Sequence, residues 1–288
     1  MTGAFHVRET GSTETAKRDE TGSSEVRKMS PENNVHGEAT PQEISEGTYR
    51  ETIENVISRY GEVMPEEQLE RIEREKEAYK PIVMSAEAYH RQFPDVSPSV
   101  LGHCDAAGRI YLKEGSPDRI NHVTTHEALH LTSYKEIDNR NGSSRFYQTG
   151  IREVGHDLTG IIEDRNRGLN EGVTELYALK EMMNRGEISS AESVCAYPEA
   201  QVKAYQLERI VGSEVMQKAY FGGDVEQLKA EVNRMSFGDE RAWDRFSENV
   251  DKVTYGKDPE EIRRAKQILT LQMAKMTAFK EAEQRGLL

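Results

Sequence analysis

The stretch that decides the fold of this chain is His126-Glu127-Ala128-Leu129-His130. On an α-helix, residues four apart lie one turn apart on the same face, so the two imidazoles can bind one ion. Zinc binds imidazole at about 2.0–2.1 Å and takes four ligands. In a catalytic site, three of these ligands come from the protein and the fourth is water. Glu127 is rotated by about 100° from His126, where its carboxylate can take a proton from that water. The pentapeptide therefore predicts one Zn²⁺ with a base beside it.

The residues before the pentapeptide predict a strand and then a capped helix. Arg109-Ile110-Tyr111-Leu112 has the aliphatic and aromatic content of a strand. Ser116-Pro117-Asp118 supplies an N-cap, a proline at the first helical position and an early acid. The alternative for the two histidines is a surface position on an ordinary helix. The order of strand and capped helix favours the metal site.

Three residues compete to be the third ligand of the metal. His122 extends the histidine series along the same face, but it lies about 12 Å from His130 along the helix axis, so these two cannot share an ion. Glu136 follows His130 by six residues, where metzincin-like proteases place a histidine ligand, and Ser133 replaces the glycine that lets the chain turn there. The third candidate is Glu171.

Glu171 stands in the segment Leu169-Asn170-Glu171-Gly172-Val173-Thr174-Glu175. Here the sequence resembles the gluzincin metallopeptidases, which pair His-Glu-x-x-His with a glutamate on a second helix, and the segment is similar to the second motif of many bacterial members. The resemblance implies that Glu171 is the third zinc ligand and that Glu175 orients a ligand histidine. It also implies a zinc-dependent peptidase acting on a protein or peptide substrate. The alternative is an amphipathic helix whose acidic first turn suits its dipole.

The resemblance covers residues 109–180 and implies two further roles. The strand Arg109 to Leu112 lies where zincins place the edge strand that pairs with an extended peptide substrate. Gluzincins also use a tyrosine or a histidine, downstream of the zinc motifs, to stabilise the oxyanion of the tetrahedral intermediate. Tyr197 is the first choice for this catalytic donor, and Tyr205 and His156 are the alternatives.

The segment between the two motifs is longer than in thermolysin, with 40 residues between His130 and Glu171. Thr132 to Gly168 is rich in glycine and asparagine, and it is expected to form a hairpin and a loop over the cleft. Arg145 to Val154 contains the expected strand pair, with a turn at Gly150.

Composition limits the partners and the location of the protein. The net charge of −13 argues against nucleic acid or an anionic membrane as the main partner, because both require a basic surface. No run approaches the roughly 18 apolar residues of a membrane span, and the N-terminus shows no Sec-type signal peptide. The chain is expected to be cytoplasmic, or secreted or delivered into another cell by a different route. Cys104 and Cys195 are isolated and are expected to be free thiols.

Changes in composition and periodicity divide the chain into four sections. Residues 1–45 contain almost no aliphatic side chains and are expected to be a disordered polar tail. Residues 46–99 are expected to form a helical N-terminal section, 100–190 a zincin catalytic core, and 191–288 the helical C-terminal section of the same domain. The expected fold class is α+β and mostly helical: a zincin-like fold with a small mixed sheet and the His-Glu-x-x-His helix.

Two functions fit this sequence. A zinc metalloendopeptidase explains Glu127, because a purely structural zinc site has no need of a base. The alternative is a catalytically silent protein of zincin fold that binds or regulates a partner. A polar tail ahead of a zincin fits a bacterial effector or toxin, and it fits a regulatory protease equally well.

Overall fold

The computed structural model describes residues 39–288 except 106–107, 139–144, 158–159 and 189–195. This part of the chain is mostly helical. Its α-helices are α1 (Pro41–Tyr60), α2 (Glu66–Ala78), α3 (Ala86–Gln92), α4 (Pro117–Thr132), α5 (Arg167–Asn184), α6 (Pro198–Val211), α7 (Ser213–Gly222), α8 (Val225–Met235), α9 (Ala242–Tyr255) and α10 (Pro259–Gln284). A short 3₁₀ turn, Gly61–Val63, follows α1.

The described strands form two separate small sheets. The strands are β1 (Ile82–Met84), β2 (Gly102–Cys104), β3 (Ile110–Lys113), β4 (Lys135–Asp138), β5 (Arg145–Thr149), β6 (Arg152–Asp157) and β7 (Gly160–Arg165). The first sheet has the order β1-β3-β2 and the second β4-β5-β6-β7. The fold class is therefore α+β and mostly helical, as the sequence predicts, and the first sheet is the expected small mixed one.

The first sheet corrects the prediction that Arg109 to Leu112 is an edge strand. β3 is the central strand, parallel to β1 on one side and antiparallel to β2 on the other. Its residues Ile110, Tyr111 and Leu112 are buried. Both hydrogen-bonding edges of β3 are therefore occupied, and a peptide substrate has no edge there to pair with.

The second sheet occupies the segment between the two motifs. It is an antiparallel meander of four strands, in which β5 and β6 are the expected strand pair. The turn between β5 and β6 contains Gly150 at φ +57, a left-handed conformation that favours glycine. The adjacent Ile151 donates its backbone N–H to Asn170 Oδ1 at 3.1 Å. This contact fixes the turn against the first helical turns of α5.

The first helix begins before the predicted end of the tail. Thr40 caps α1, and its side chain and that of Glu43 bond each other's backbone N–H groups. This reciprocal capping box gives α1 a defined start at Pro41, so the last residues of the predicted tail, up to residue 45, are helical. Residues 1–38 lie outside the described residues.

Helix α4, which carries the pentapeptide, is buried between α1 and α5. Ser116 caps it by accepting the N–H of Arg119, and Pro117 occupies its first position. Thr48 of α1 donates a hydrogen bond to Asn121 Oδ1 at 2.6 Å, which fixes the register of the two helices. The histidine face of α4 is thereby turned toward α5.

The last five helices form the expected helical C-terminal section. α6 packs along α5, and α10 packs across α9, α8 and α6. Met273 and Met276 of α10 are buried in the main core, as their helical spacing predicts. This section packs against α5 through α6 and α9.

Candidate metal centre

Three side chains from α4 and α5 converge on one point. His130 Nε2 lies 3.1 Å from His126 Nε2, and Glu171 Oε2 lies 3.3 Å from each of these two nitrogens. All three residues are buried. The described residues therefore contain a His-His-Glu group that could hold a metal ion.

The size of this triangle fits a first-row divalent ion. Ligands that surround zinc tetrahedrally at ~2.0–2.1 Å are about 3.3 Å apart. The observed separations of 3.1–3.3 Å match that spacing. The second oxygen of Glu171 has no hydrogen-bond partner among the described residues. Two imidazole nitrogens and one carboxylate oxygen thus stand at ligand distance from a common centre.

Glu175 orients the first histidine, as the resemblance implies. Its Oε2 lies 2.9 Å from His126 Nδ1, which leaves His126 Nε2 as the electron-pair donor toward the centre. The other oxygen lies 2.8 Å from His122 Nε2. His122 is therefore a buried partner of Glu175 and not a ligand, in agreement with the distance argument from the sequence.

Thr174 performs the corresponding task for the second histidine. Its Oγ1 donates to the backbone carbonyl of Asn170 at 2.9 Å, so its lone pairs face outward. His130 Nδ1 lies 3.4 Å from this oxygen, and the hydroxyl of Tyr220 lies 2.7 Å from it. One helical turn thus supports both histidines, His126 through Glu175 and His130 through Thr174.

Gly172 lets α6 approach the turn of α5 that carries Glu171. A Cβ at this position would lie 2.4 Å from the backbone oxygen of Ala200 in α6. No larger residue fits unless the two helices separate. The close packing places the start of α6, including Tyr197, beside the site.

The charges of the site favour a bound cation. Burial alone would raise the pKa of Glu171, but His130 and His126 hold it well below the ordinary value. In the same way, His122 and His126 keep the pKa of Glu175 low against the effect of burial. Both buried carboxylates are therefore ionised, and they attract positive charge to the space between the helices.

Glu127 has the properties expected of a base beside the metal. It is fully buried, and neither carboxylate oxygen has a hydrogen-bond partner among the described residues. Burial, opposed by His126 and assisted by the charge of Glu171, raises the pKa of Glu127 to about 8. The backbone N–H of Cys104 in β2 faces this carboxylate and acts to lower its pKa, but it is not close enough or well enough aligned to form a hydrogen bond. An unpaired buried carboxylate is costly, and such groups are often functional.

The structure brings Tyr197 to the site and leaves Tyr205 outside it. The ring of Tyr197 is buried and stacks on that of His126 at 6.0 Å between centroids. Burial and the charge of Glu171 raise its pKa well above the ordinary value, so the phenol remains a donor. Tyr205 is an exposed residue of α6, where Arg209 covers its ring. The side chain of His156 lies outside the described residues.

Glu136, the rival third ligand, lies away from the triangle. It is exposed on β4 and accepts a hydrogen bond from the hydroxyl of Tyr134 at 2.9 Å. The His-His-Glu group of the described residues does not include it. Of the two cysteines, Cys104 is a buried free thiol whose pKa burial raises to about 12, and Cys195 lies outside the described residues.

Two residues near the site were not found from the sequence. Tyr255, at the end of α9, is half-buried, and its pKa is raised by burial and by the charge of Glu171. Arg167, at the start of α5, lies over the ring of Tyr255 at 4.5 Å. Tyr255 follows Glu171 by many residues and stands in no motif, so only the tertiary packing of α9 on α5 identifies it.

Three comparisons with known proteins identified no relative of this chain. No family model matches the chain, and neither the curated proteins nor the solved structures give a significant match. None of the helices within the described residues has the length and apolar content that crossing a membrane requires.

Proposed function

We propose that this chain is a zinc-dependent metalloendopeptidase of the gluzincin type, acting on a protein substrate. The observation that supports it best is the unpaired, buried carboxylate of Glu127 beside the triangle of His126, His130 and Glu171. A structural site would use a fourth protein ligand and would have no base, whereas this group leaves one position for water or substrate.

The choice of zinc follows from the ligands. Two imidazoles with one carboxylate are the protein ligands of many catalytic zinc sites, and the hydrogen bonds of Glu175 and Thr174 hold the imidazoles in place. When bound, zinc would polarise the scissile carbonyl and lower the pKa of water. The same ligands would also bind other first-row ions, so zinc is part of the proposal.

The chain's own residues supply the proton transfers. The carboxylate of Glu127 takes the proton of the attacking water and then delivers it to the nitrogen of the leaving amine. In the metal-free fold its pKa is raised to about 8, so this carboxylate is a stronger base than an ordinary glutamate, and a bound cation would lower that value. The hydroxyl of Tyr197 donates a hydrogen bond to the oxygen on which negative charge develops.

The strand that would pair with the substrate is β2 and not β3. β2 is the antiparallel edge strand of the first sheet, and Lys113 pairs with Leu101 and Asp105 with Arg109. In this antiparallel register, the N–H and C=O groups of Cys104 point away from β3, toward the side of Glu127. An extended peptide can add to that edge and bring its carbonyl to the metal.

A second function, a catalytically silent metal-binding protein, is favoured by one observation. His126, Glu127, His130 and Glu171 are only 0–1% exposed. A substrate therefore reaches these groups only when neighbouring side chains move aside, whereas a permanently closed site would hold metal without turnover.

The test separates these functions through Glu127→Gln. Wild type and variant, both loaded with zinc, are incubated with a degenerate peptide pool and with protein lysates, and new N-termini are mapped. We expect the variant to keep its zinc and its melting temperature and to lose cleavage by at least about 10²-fold. Glu181→Gln is the control, because Glu181 is also a buried glutamate of α5, but it lies beyond the His-His-Glu group along the helix and pairs with Arg59 at 3.6 Å. Equal cleavage by wild type and Glu127→Gln would exclude the peptidase.

A further inference from the structure

Arg167 stands in the same row of α5 as the metal-binding glutamate. It is the first residue of the helix, and Glu171 follows four residues later, so both lie on one face, about 6 Å apart along the axis. Helical side chains lean toward the N-terminus, so Arg167 extends from Glu171 toward the start of α5, and its charge acts on both Tyr197 and Tyr255. Glu175 continues the row inward, behind His126.

The charge of Arg167 reaches Asp251 of α9 and acts to lower the pKa of that carboxyl group, but without a close ion pair. Among the described residues, none forms an ion pair with it, and its buried Nε has no hydrogen-bond partner. The nearby Asp251 of α9 instead accepts the backbone N–H of Gly168 at 2.5 Å. By contrast, Arg165, two residues earlier, is exposed and paired with Glu163. A half-buried arginine whose N–H groups meet no carboxylate oxygen is costly unless another group completes it.

Tyr255 holds this guanidinium in position from one side. Its ring lies 4.5 Å below the guanidinium carbon, and both residues are half-buried, so the edge of the pair remains accessible. Stacking on an aromatic face fixes the plane of an arginine and leaves its in-plane N–H groups for a partner. The partner that fits a fixed, planar set of N–H donors is a carboxylate.

We infer that Arg167 recognises a carboxylate of the substrate close to the scissile bond and so determines specificity. The inference rests on the proposed peptidase function. An extended peptide advances about 3.3 Å per residue, so a group one helical turn from the metal ligand corresponds to one or two residues from the cleaved bond. The carboxylate belongs either to an Asp or Glu side chain or to the free C-terminus of the substrate.

The test uses peptide pools that differ only in this group. One degenerate pool has blocked ends and a fixed Glu, a second has Gln at that position, and a third has Gln with a free C-terminus. Wild type, Arg167→Met and the matched control Arg165→Met are compared by kcat/KM on each pool. Circular dichroism and zinc content verify the fold of each variant.

The expected result is a preference of at least about tenfold for one carboxylate pool over the blocked Gln pool, the size of a charge-assisted hydrogen bond. Preference for the Glu pool identifies a side-chain carboxylate, and preference for the third pool identifies the C-terminus. Arg167→Met should remove the preference while it still cleaves the blocked Gln pool, and Arg165→Met should keep the preference. If Arg167→Met is unstable, Arg167→Lys, which keeps the charge but lacks the planar fork, should lower the preference.

Failure of this inference is distinguishable from failure of the peptidase function. Cleavage of all pools without a carboxylate preference, or a preference unchanged in Arg167→Met, overturns the role of Arg167 and leaves the peptidase intact. If no pool is cleaved, fluorescence anisotropy measures binding of the same labelled pools to zinc-loaded Glu127→Gln protein. Tighter binding of a carboxylate pool that is lost when Arg167→Met is combined with Glu127→Gln in one chain supports the inference without turnover. Equal binding of all pools overturns it.

Discussion

Glu175 Oε2 lies 2.9 Å from His126 Nδ1, and the same carboxylate bonds His122 through its other oxygen. A metal-bound imidazole needs its second nitrogen to be fixed, because rotation of the ring or the other tautomer would remove a ligand. The Asn170 to Glu175 turn therefore acts as a unit, in which Glu171 faces the centre and Glu175 supports the histidine.

Replacing Glu175 should weaken metal binding without removing a ligand. We expect Glu175→Gln to raise the dissociation constant for zinc by about 10–100-fold, measured by competition with a chromogenic chelator. His122→Gln, which alters only the remote partner of the same carboxylate, should have a smaller effect. Equal zinc affinity in Glu175→Gln and wild type would show that this hydrogen bond does not orient the ligand.

Gly172→Ala should destabilise the protein through packing. The added Cβ would meet the backbone of Ala200, which cannot yield as a flexible side chain can. A loss of about 1–3 kcal/mol in the free energy of unfolding is expected from urea denaturation. Gly47→Ala is the matched helical control, since a Cβ there meets nothing within 4 Å, and it should stabilise α1 by roughly 0.5–1 kcal/mol. Equal effects of the two substitutions would argue against the close contact of α5 and α6.

The metal-free protein should become less stable as the pH rises because of Glu127. The pKa of this carboxyl group is 4.5 for an isolated side chain in water and about 8 in the fold. Between these values, the folded protein binds more protons than the unfolded chain, so the free energy of unfolding falls with rising pH. Glu127→Gln removes this loss.

The advantage of metal-free Glu127→Gln over wild type should therefore be absent near pH 4.5 and reach on the order of a few kcal/mol near pH 8. Chemical denaturation of both proteins at several pH values measures it. A difference that does not change with pH would show that Glu127 is solvated and unperturbed in the fold.

Tyr197→Phe should reduce turnover and leave metal binding unchanged. Removing one donor to a developing oxyanion typically costs about 10²–10³-fold in kcat. Tyr205→Phe is the control, because Tyr205 lies on the same helical segment but is exposed. If Tyr197→Phe cleaves the peptide pool as fast as wild type, Tyr197 only packs against His126.

Local sequence signals predicted the His-His-Glu group well because each of its residues lies in a contiguous helical motif. The spacing of His126 and His130 implied a shared face, and the structure places both with Glu171 at one centre. The start of α1 could also have been predicted, since Thr40-Pro41-Gln42-Glu43 is a capping box that the low aliphatic content of the surrounding residues concealed.

The features that the sequence did not predict depend on tertiary pairing. β3 was expected at an edge, but β1, its parallel neighbour on the other side from β2, has only three residues and therefore shows little alternation. In the same way, Arg167 and Tyr255 meet only because α9 packs on α5, and no local pattern connects them. Contacts between side chains of different helices or strands can be predicted only once the packing of those elements is known.

The most direct test of the metal centre is the zinc content of chelator-treated and zinc-reconstituted protein, measured by mass spectrometry for wild type, Glu171→Ala and the control Glu181→Ala. The account predicts about one zinc per chain in wild type and in Glu181→Ala, and almost none in Glu171→Ala, since three protein ligands are required for tight binding. Equal zinc in Glu171→Ala and wild type, or none in any of the three, would contradict it.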